Sequence, residues 1–223
     1  MAQITLDNIA FRYPGAQQDA LTGLSLDIAD GEAHALLGAS GSGKTTLLNL
    51  LSGLISPSAG TLQFDGRDVS RTAARDRDVA QVFQFPVLYE SLSVAQNLAF
   101  PLETRAIPAA RAAERIDYIL SELDISGIRD RRSKSLSLFE KQLVAVGKAL
   151  VREDVSMVLL DEPLTAVEPR IKWRLRQRRC EFPTCVPQAC TILVKLDISG
   201  THWLPKLPIH PVTNYSLRRS TTT

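Results

Sequence analysis

Gly38-Ala39-Ser40-Gly41-Ser42-Gly43-Lys44-Thr45 fits the pattern G-x-x-x-x-G-K-[ST] without a mismatch. A short apolar run, Ala33-His34-Ala35-Leu36-Leu37, precedes it and reads as a buried strand. After it come Leu47, Leu48, Leu50, Leu51 and Leu54, which share one face of a helix predicted over 44–54. A strand, a glycine-rich turn and a helix in that order make a cradle for phosphate. The glycines let backbone N–H groups turn inward, and the helix aims its positive end at the anion. Lys44 is then placed to reach the β- and γ-phosphates, and the Thr45 hydroxyl to hold Mg²⁺. Gly38, Ser40, Gly41, Ser42, Gly43, Lys44, Thr45 and Thr46 are therefore the expected residues for binding a nucleoside triphosphate.

Working outward, the next element with chemistry is Met157-Val158-Leu159-Leu160-Asp161-Glu162. A carboxylate at the end of an apolar strand can stand beside a phosphate loop. Asp161 is the expected Mg²⁺ ligand, and Glu162 the base that polarises an attacking water. Taken alone, two apolar residues before Asp-Glu are common. The pairing with the loop gives the pattern its meaning.

Between these landmarks, Ile4, Leu6, Leu24, Leu26 and Ile28 alternate as half-buried strands do, and Leu62 and Phe64 suggest a strand closed by Asp65-Gly66. Strands are also predicted over 79–83 and 155–160, and helices over 108–123 and 136–151. No internal repeat is visible. Strands alternating with helices imply an α/β domain. With 26 basic and 24 acidic residues the formal net charge is +2, which argues against a nucleic-acid coat. No run of 18 apolar residues occurs, and Met1-Ala2-Gln3-Ile4-Thr5-Leu6-Asp7 lacks the features of a signal peptide, so a cytoplasmic location is expected.

Together these residues resemble the ATP-binding subunit of an ABC transporter, over about residues 3–179. The resemblance implies a P-loop NTPase with an antiparallel β subdomain and a helical subdomain at about 85–153. It implies ATP and Mg²⁺ as cofactors, a second ABC ATPase subunit and two transmembrane permease subunits as partners, and a place on the inner face of the cell membrane. Tyr13 sits where the family stacks an aromatic on adenine. Gln84, in Val82-Phe83-Gln84-Phe85-Pro86, matches the glutamine that contacts Mg²⁺ or water and senses the membrane partner. Leu164-Thr165-Ala166-Val167-Glu168-Pro169 resembles the segment after the catalytic Glu, with Glu168 where Asp is usual. Phe85-Pro86-Val87-Leu88-Tyr89 and Leu98-Ala99-Phe100-Pro101-Leu102 resemble importers of sugars, polyols or glycerol phosphate.

Three departures stand against that pattern. The family's signature, Leu-Ser-Gly-Gly-Gln, reads here Leu136-Ser137-Leu138-Phe139-Glu140, so both glycines are gone. Their backbone normally comes close to the γ-phosphate of the partner subunit's ATP, and a Cβ obstructs that approach. Ser137 remains a candidate phosphate ligand, or else simply caps the helix that follows. The family also has a switch histidine, for which Thr201-His202-Trp203 is the only look-alike. It lies 40 residues past Glu162 and no Asp follows. A defective nucleotide-binding fragment is the alternative function this raises.

The third departure is compositional. Residues 1–179 hold 22 basic and 22 acidic residues and no cysteine. Residues 180–223 carry the whole +2 together with Cys180, Cys185 and Cys190, and Pro183, Pro187, Pro205, Pro208 and Pro211 interrupt them. Only Thr191–Leu196 reads as a strand there. A poorly ordered tail, truncated or read out of frame relative to the family, is expected from 180 onward. The basic run from Arg170 to Arg179 reads as a solvated helix, and the cysteine spacing matches no usual zinc pattern.

Overall fold

Alternation of buried and exposed residues builds the first sheet, in a computed structural model that describes residues 3–162, 191–197 and 209–212. Strand β1 (Ile4–Phe11) buries Ile4, Leu6, Ile9 and Phe11, so its inward face changes phase between Leu6 and Ile9. A register shift there, with Asn8 at φ 49°, accommodates the extra residue as a bulge. β1 is flanked antiparallel by β2 (Leu21–Ile28) and β4 (Ala59–Phe64), and β4 continues into β5 (Arg67–Asp68).

The second sheet is wholly parallel, in the order β6-β7-β8-β3-β9. Its strands are β3 (Ala33–Gly38), β6 (Val79–Val82), β7 (Met157–Asp161), β8 (Thr191–Asp197) and β9 (Ile209–Val212). Every residue of β7 is buried, as a strand covered on both faces requires. Val158 and Leu160 point into a core shared with helices α2 (Val94–Glu103), α3 (Ala109–Glu122) and α4 (Leu138–Leu150). Met157 and Leu159 point the other way, into a core shared with α1 (Lys44–Ser52) and the antiparallel sheet. One strand thus joins the two halves of the molecule.

Several boundaries differ from those the sequence predicts. Helix α1 stops at Ser52 because Gly53 turns left-handed at φ 79° and sends its N–H back to Asn49 and Leu50. Leu54 falls outside the helix and is exposed. The buried guanidinium of Arg77 closes the same helix end, donating to the carbonyls of Leu50 at 2.6 Å and Leu51 at 3.3 Å. A side chain at 53 would strike it, since a Cβ there lies 2.7 Å from Arg77 Nε. Helix α2, absent from the sequence reading, begins with a capping box in which Ser93 and Gln96 satisfy each other's backbone N–H groups.

The predicted strand at 191–196 is present as β8 and lies between β7 and β3. β9 adds a further strand outside β3, and Pro211 is admissible there because β9 is an edge. Local β propensity in Thr191-Ile192-Leu193-Val194 outweighs the composition of its surroundings. The segment 164–169, the basic run at 170–179, the three cysteines and His202 lie outside the described residues.

At the lower edge of the parallel sheet, ahead of β6 and β7, four charged residues tie the helices to the strands. Arg105 pairs with Asp154 and, at 2.5 Å, with Asp78; Arg152 reaches Asp78 at 3.2 Å and Asp154 at 3.2 Å. Burial works against the charge on Asp154, but the hydrogen bonds from Arg105 and Arg152 hold its carboxyl below the usual range.

Candidate functional site

All strands of the second sheet run the same way, so the C-terminal ends of β3, β6 and β7 open on one edge, where ligands of open α/β sheets bind. Gly38 ends β3, Asp161 ends β7, and Gln84 lies two residues past β6. Lys195 of β8 is the register partner of both Asp161 and Leu36, which sets the acidic residues level with the start of the phosphate loop. With one strand between them, β7 and β3 are about 10 Å apart.

The loop itself has the form an anion needs. Gly43 caps α1 at φ 85° and offers its first turn no side-chain cap. The N–H groups of that turn are left facing the loop. A Cβ at Gly43 would lie 2.7 Å from the carbonyl oxygen of Ala20, so a larger residue would push the loop off the antiparallel sheet. Lys44 is buried, and its Nζ donates to the carbonyls of Gly38 at 2.6 Å and Ala39 at 2.7 Å, laying the ammonium across the cradle. Ser42 donates its N–H to Ala39 at 3.1 Å, and Ser40, Gly41 and Thr45 are exposed. The two threonines split: Thr45 faces outward, while Thr46 is buried and its hydroxyl lies 3.1 Å from Tyr13 Oη. Tyr13 packs edge-on against Phe11 and stays half-exposed beside the loop.

On the acidic side, Asp161 is buried and Glu162 half-buried. Glu162 takes φ 46°, a left-handed conformation that costs a residue with a side chain about 1–3 kcal/mol and that recurs at functional sites. The turn brings its Oε2 within 3.4 Å of Gln84 Nε2, which donates to it across 78 residues of sequence. Glu162 and Gln84 are therefore joined. Gln142, which no motif marked as a site residue, supports the pair from below. It is buried in α4 and donates from Nε2 to the carbonyl of Phe83 at 3.2 Å, fixing the residue before Gln84. A polar residue on the inner face of an otherwise apolar helix was the signal available for it.

Ser137 stands apart from this constellation and caps α4. Its Oγ accepts from Glu140 N at 3.2 Å, while Glu140 Oε2 accepts from Ser137 N at 2.7 Å and from Ser137 Oγ at 2.9 Å. Of the two readings of Ser137, the structure displays the cap.

The donor set suits a nucleotide with magnesium. Among the described residues no three His, Cys, Asp or Glu side chains gather as a metal-holding group. Mg²⁺ needs no such cage, since it binds through one or two protein ligands with phosphate oxygens and water. Thr45, Gln84 and Asp161 are the residues that could provide them.

A parallel sheet with a phosphate loop after β3 and an acidic pair after β7 defines a P-loop NTPase. The sequence pattern of the ABC transporter family matches residues 21–165, and the chain belongs to that family. The diacetylchitobiose uptake system ATP-binding protein MsiK of Streptomyces coelicolor is 39% identical over 77% of this chain and 45% of its own length. The trehalose import ATP-binding protein SugC of Mycobacterium tuberculosis is 40% identical over 79% and 44%, and the sn-glycerol-3-phosphate import ATP-binding protein UgpC of Chromobacterium violaceum 37% over 79% and 47%. The chain thus spans about half the length of the curated relatives it matches. Among solved structures, cbiO1 of Clostridium perfringens, part of the ABC transporter complex cbiONQ, superposes with a TM-score of 0.75 at 27% identity, over 87% of this chain and 78% of that one.

Proposed function

We propose that this chain binds ATP with Mg²⁺ and hydrolyses it to drive solute import through membrane permease subunits. The observation that carries the reading is the hydrogen bond between Gln84 and Glu162 at the open edge of the parallel sheet. Lys44 and the N–H groups at the start of α1 would hold the phosphates, and Tyr13 would lie against the base. Glu162 would take a proton from the attacking water, oriented by Gln84. Magnesium, held by Thr45, Gln84 and Asp161, would neutralise charge on the β- and γ-phosphates.

The face for a membrane partner is the stretch just past Gln84. Phe85 is 70% exposed and Val87 61%, and Tyr89 and Phe100 are half-exposed beside them. The buried side chain of Asn97 pins this loop, accepting from Tyr89 N at 2.9 Å and donating to its carbonyl at 3.1 Å. Lys148 Nζ lies 4.7 Å from the Tyr89 ring centroid, and burial lowers its pKa. A permease pressing on this surface would move Gln84 and so reach Glu162. No helix among the described residues is long and apolar enough to cross a membrane, which leaves the crossing to the partner. Sugars or glycerol phosphates are the solutes the named relatives support, and a paired cassette on the cytoplasmic face is the expected assembly.

The test is Glu162→Gln. Hydrolysis of MgATP, measured in steady state, is expected to fall by about 10²–10⁴ while nucleotide binding is retained. Unchanged turnover would remove Glu162 from the mechanism.

A further inference from the structure

We infer that Gln142 is a positioning residue for hydrolysis: from α4 it sets the orientation of Gln84 and, through Gln84, the aim of the Glu162 carboxylate. This rests on the ATP site proposed above and adds to it a residue from another element that acts only through the backbone.

Stability alone is a poor reason for Gln142. It is 1% exposed, and the other buried positions of α4 carry apolar side chains or, at Gly147, none. Its Nε2 donates to the Phe83 carbonyl at 3.2 Å, while its Oε1 is buried and meets no donor among the described residues. One neutral hydrogen bond adds little net stability, and a buried oxygen left without a partner costs as much or more. An apolar side chain of the same length would leave the fold as stable. What the amide supplies is direction.

That direction falls on the reacting pair. The Phe83 carbonyl and the Gln84 N–H belong to one planar peptide group, so gripping the carbonyl fixes the plane from which the Gln84 side chain departs. The Gln84 amide then donates to Glu162 Oε2 at 3.4 Å, beyond the usual range for an N–H···O bond. A contact that long is made or broken by a small tilt of the 83–84 peptide.

The far end of the same loop is held by the same helix. Lys148 Nζ lies 4.7 Å from the Tyr89 ring centroid, and Lys141 Nζ lies 3.6 Å from a Glu90 carboxylate oxygen. Between these anchors Phe85 and Val87 are exposed. Helix α4 therefore grips the loop at both ends, and the grip that adjoins Gln84 is the one made by Gln142. Withdrawing its donor frees the peptide and leaves Glu162 less well aimed at water, without touching the phosphate loop.

Steady-state hydrolysis of MgATP by the full chain carrying Gln142→Met tests the inference. Met matches Gln in length and helix preference and lacks the donor. A fall in kcat of about tenfold or more is expected, with KM for MgATP within about threefold of the parent and the thermal midpoint unchanged. Gln142→Leu, the second variant, removes the donor with a different apolar shape and is expected to do the same. Parent-like kcat in either variant, a rise in KM that accounts for the loss, or loss of MgATP binding in both overturns the inference. A double-mutant cycle adds a readout that a packing role would not move. In a Gln84→Ala background, Gln142→Met is expected to lower kcat by no more than about twofold; the full loss there would show that Gln142 does not act through Gln84 and overturns the inference. Glu162→Gln is measured alongside. Unchanged turnover in that variant defeats the proposed mechanism itself, whereas a loss there beside parent-like Gln142→Met defeats only the positioning role.

Discussion

Helices α1 and α4 each begin at a residue that the sequence offers as a phosphate ligand, yet their first turns are built in opposite ways. Gly43 offers α1 no side-chain cap. Ser137 and Glu140 seal α4 with three hydrogen bonds. A helix end that binds an anion must forgo its own cap, and the stability so lost, about 1 kcal/mol, is recovered when the ligand arrives. A sealed end is stable without a ligand and has little to offer one. Helix α2, sealed by Ser93 and Gln96, belongs with α4.

Substitutions can break or sharpen this contrast. Lys44→Ala acts on the open end and should have the largest effect, lowering MgATP affinity by about 100-fold or more in a fluorescence titration. Retained tight binding would refute the assignment of the loop. Next comes Gly43→Ala, which puts a Cβ at φ 85° and 2.7 Å from a backbone oxygen. Strain of this kind costs about 1–3 kcal/mol, visible as a lower thermal midpoint together with weaker ATP binding. The sealed end should respond differently. Ser137→Ala is expected to cost about 1 kcal/mol of stability with no change in ATP affinity at the chain's own loop.

The seal also carries a pH signature. Glu140 titrates below its ordinary value in the folded chain, so its contribution is present above the unfolded value of about 4.3 and is lost as pH falls through the folded one. The gap in thermal midpoint between the parent and Glu140→Gln should be open at pH 7 and narrow as the pH falls below about 4. A gap independent of pH would show that the charge plays no part. Tyr13→Phe should do least. It deletes the 3.1 Å contact with Thr46 but keeps the ring, so a loss of about 0.5–1.5 kcal/mol in stability is expected, with ATP affinity within about threefold.

What could be read in advance follows from how local each feature is. The phosphate loop is a run of eight residues whose spacing alone carries its chemistry, and the Asp161-Glu162 pair ends a run of apolar residues. Ser137 was equally visible as a helix cap. The same rule would have found α2 from Ser93 and Gln96, where Pro101 inside the helix obscured the pattern. Features that depend on distant partners left no such trace. Arg77 closes a helix 26 residues away, Gln142 supports Gln84 from another element, and the left-handed turn at Glu162 is a tertiary outcome. The position of β8 was hidden for a related reason: composition reports on a segment's surroundings, whereas a central strand needs only a few residues of the right kind.

That strand has a consequence for the order in which the protein is made. The partners Ala33 and Ile192 are the ends of a very long loop, and β3 and β7 share no edge except through β8. While the ribosome is still adding residues before 191, the antiparallel sheet can already close, because β1, β2 and β4 are all in hand. The two halves of the nucleotide site cannot yet take their spacing. Closure of such distant parallel pairings is slow, so ATP-binding competence should be acquired only after the antiparallel sheet has closed and residues 191–197 have been made.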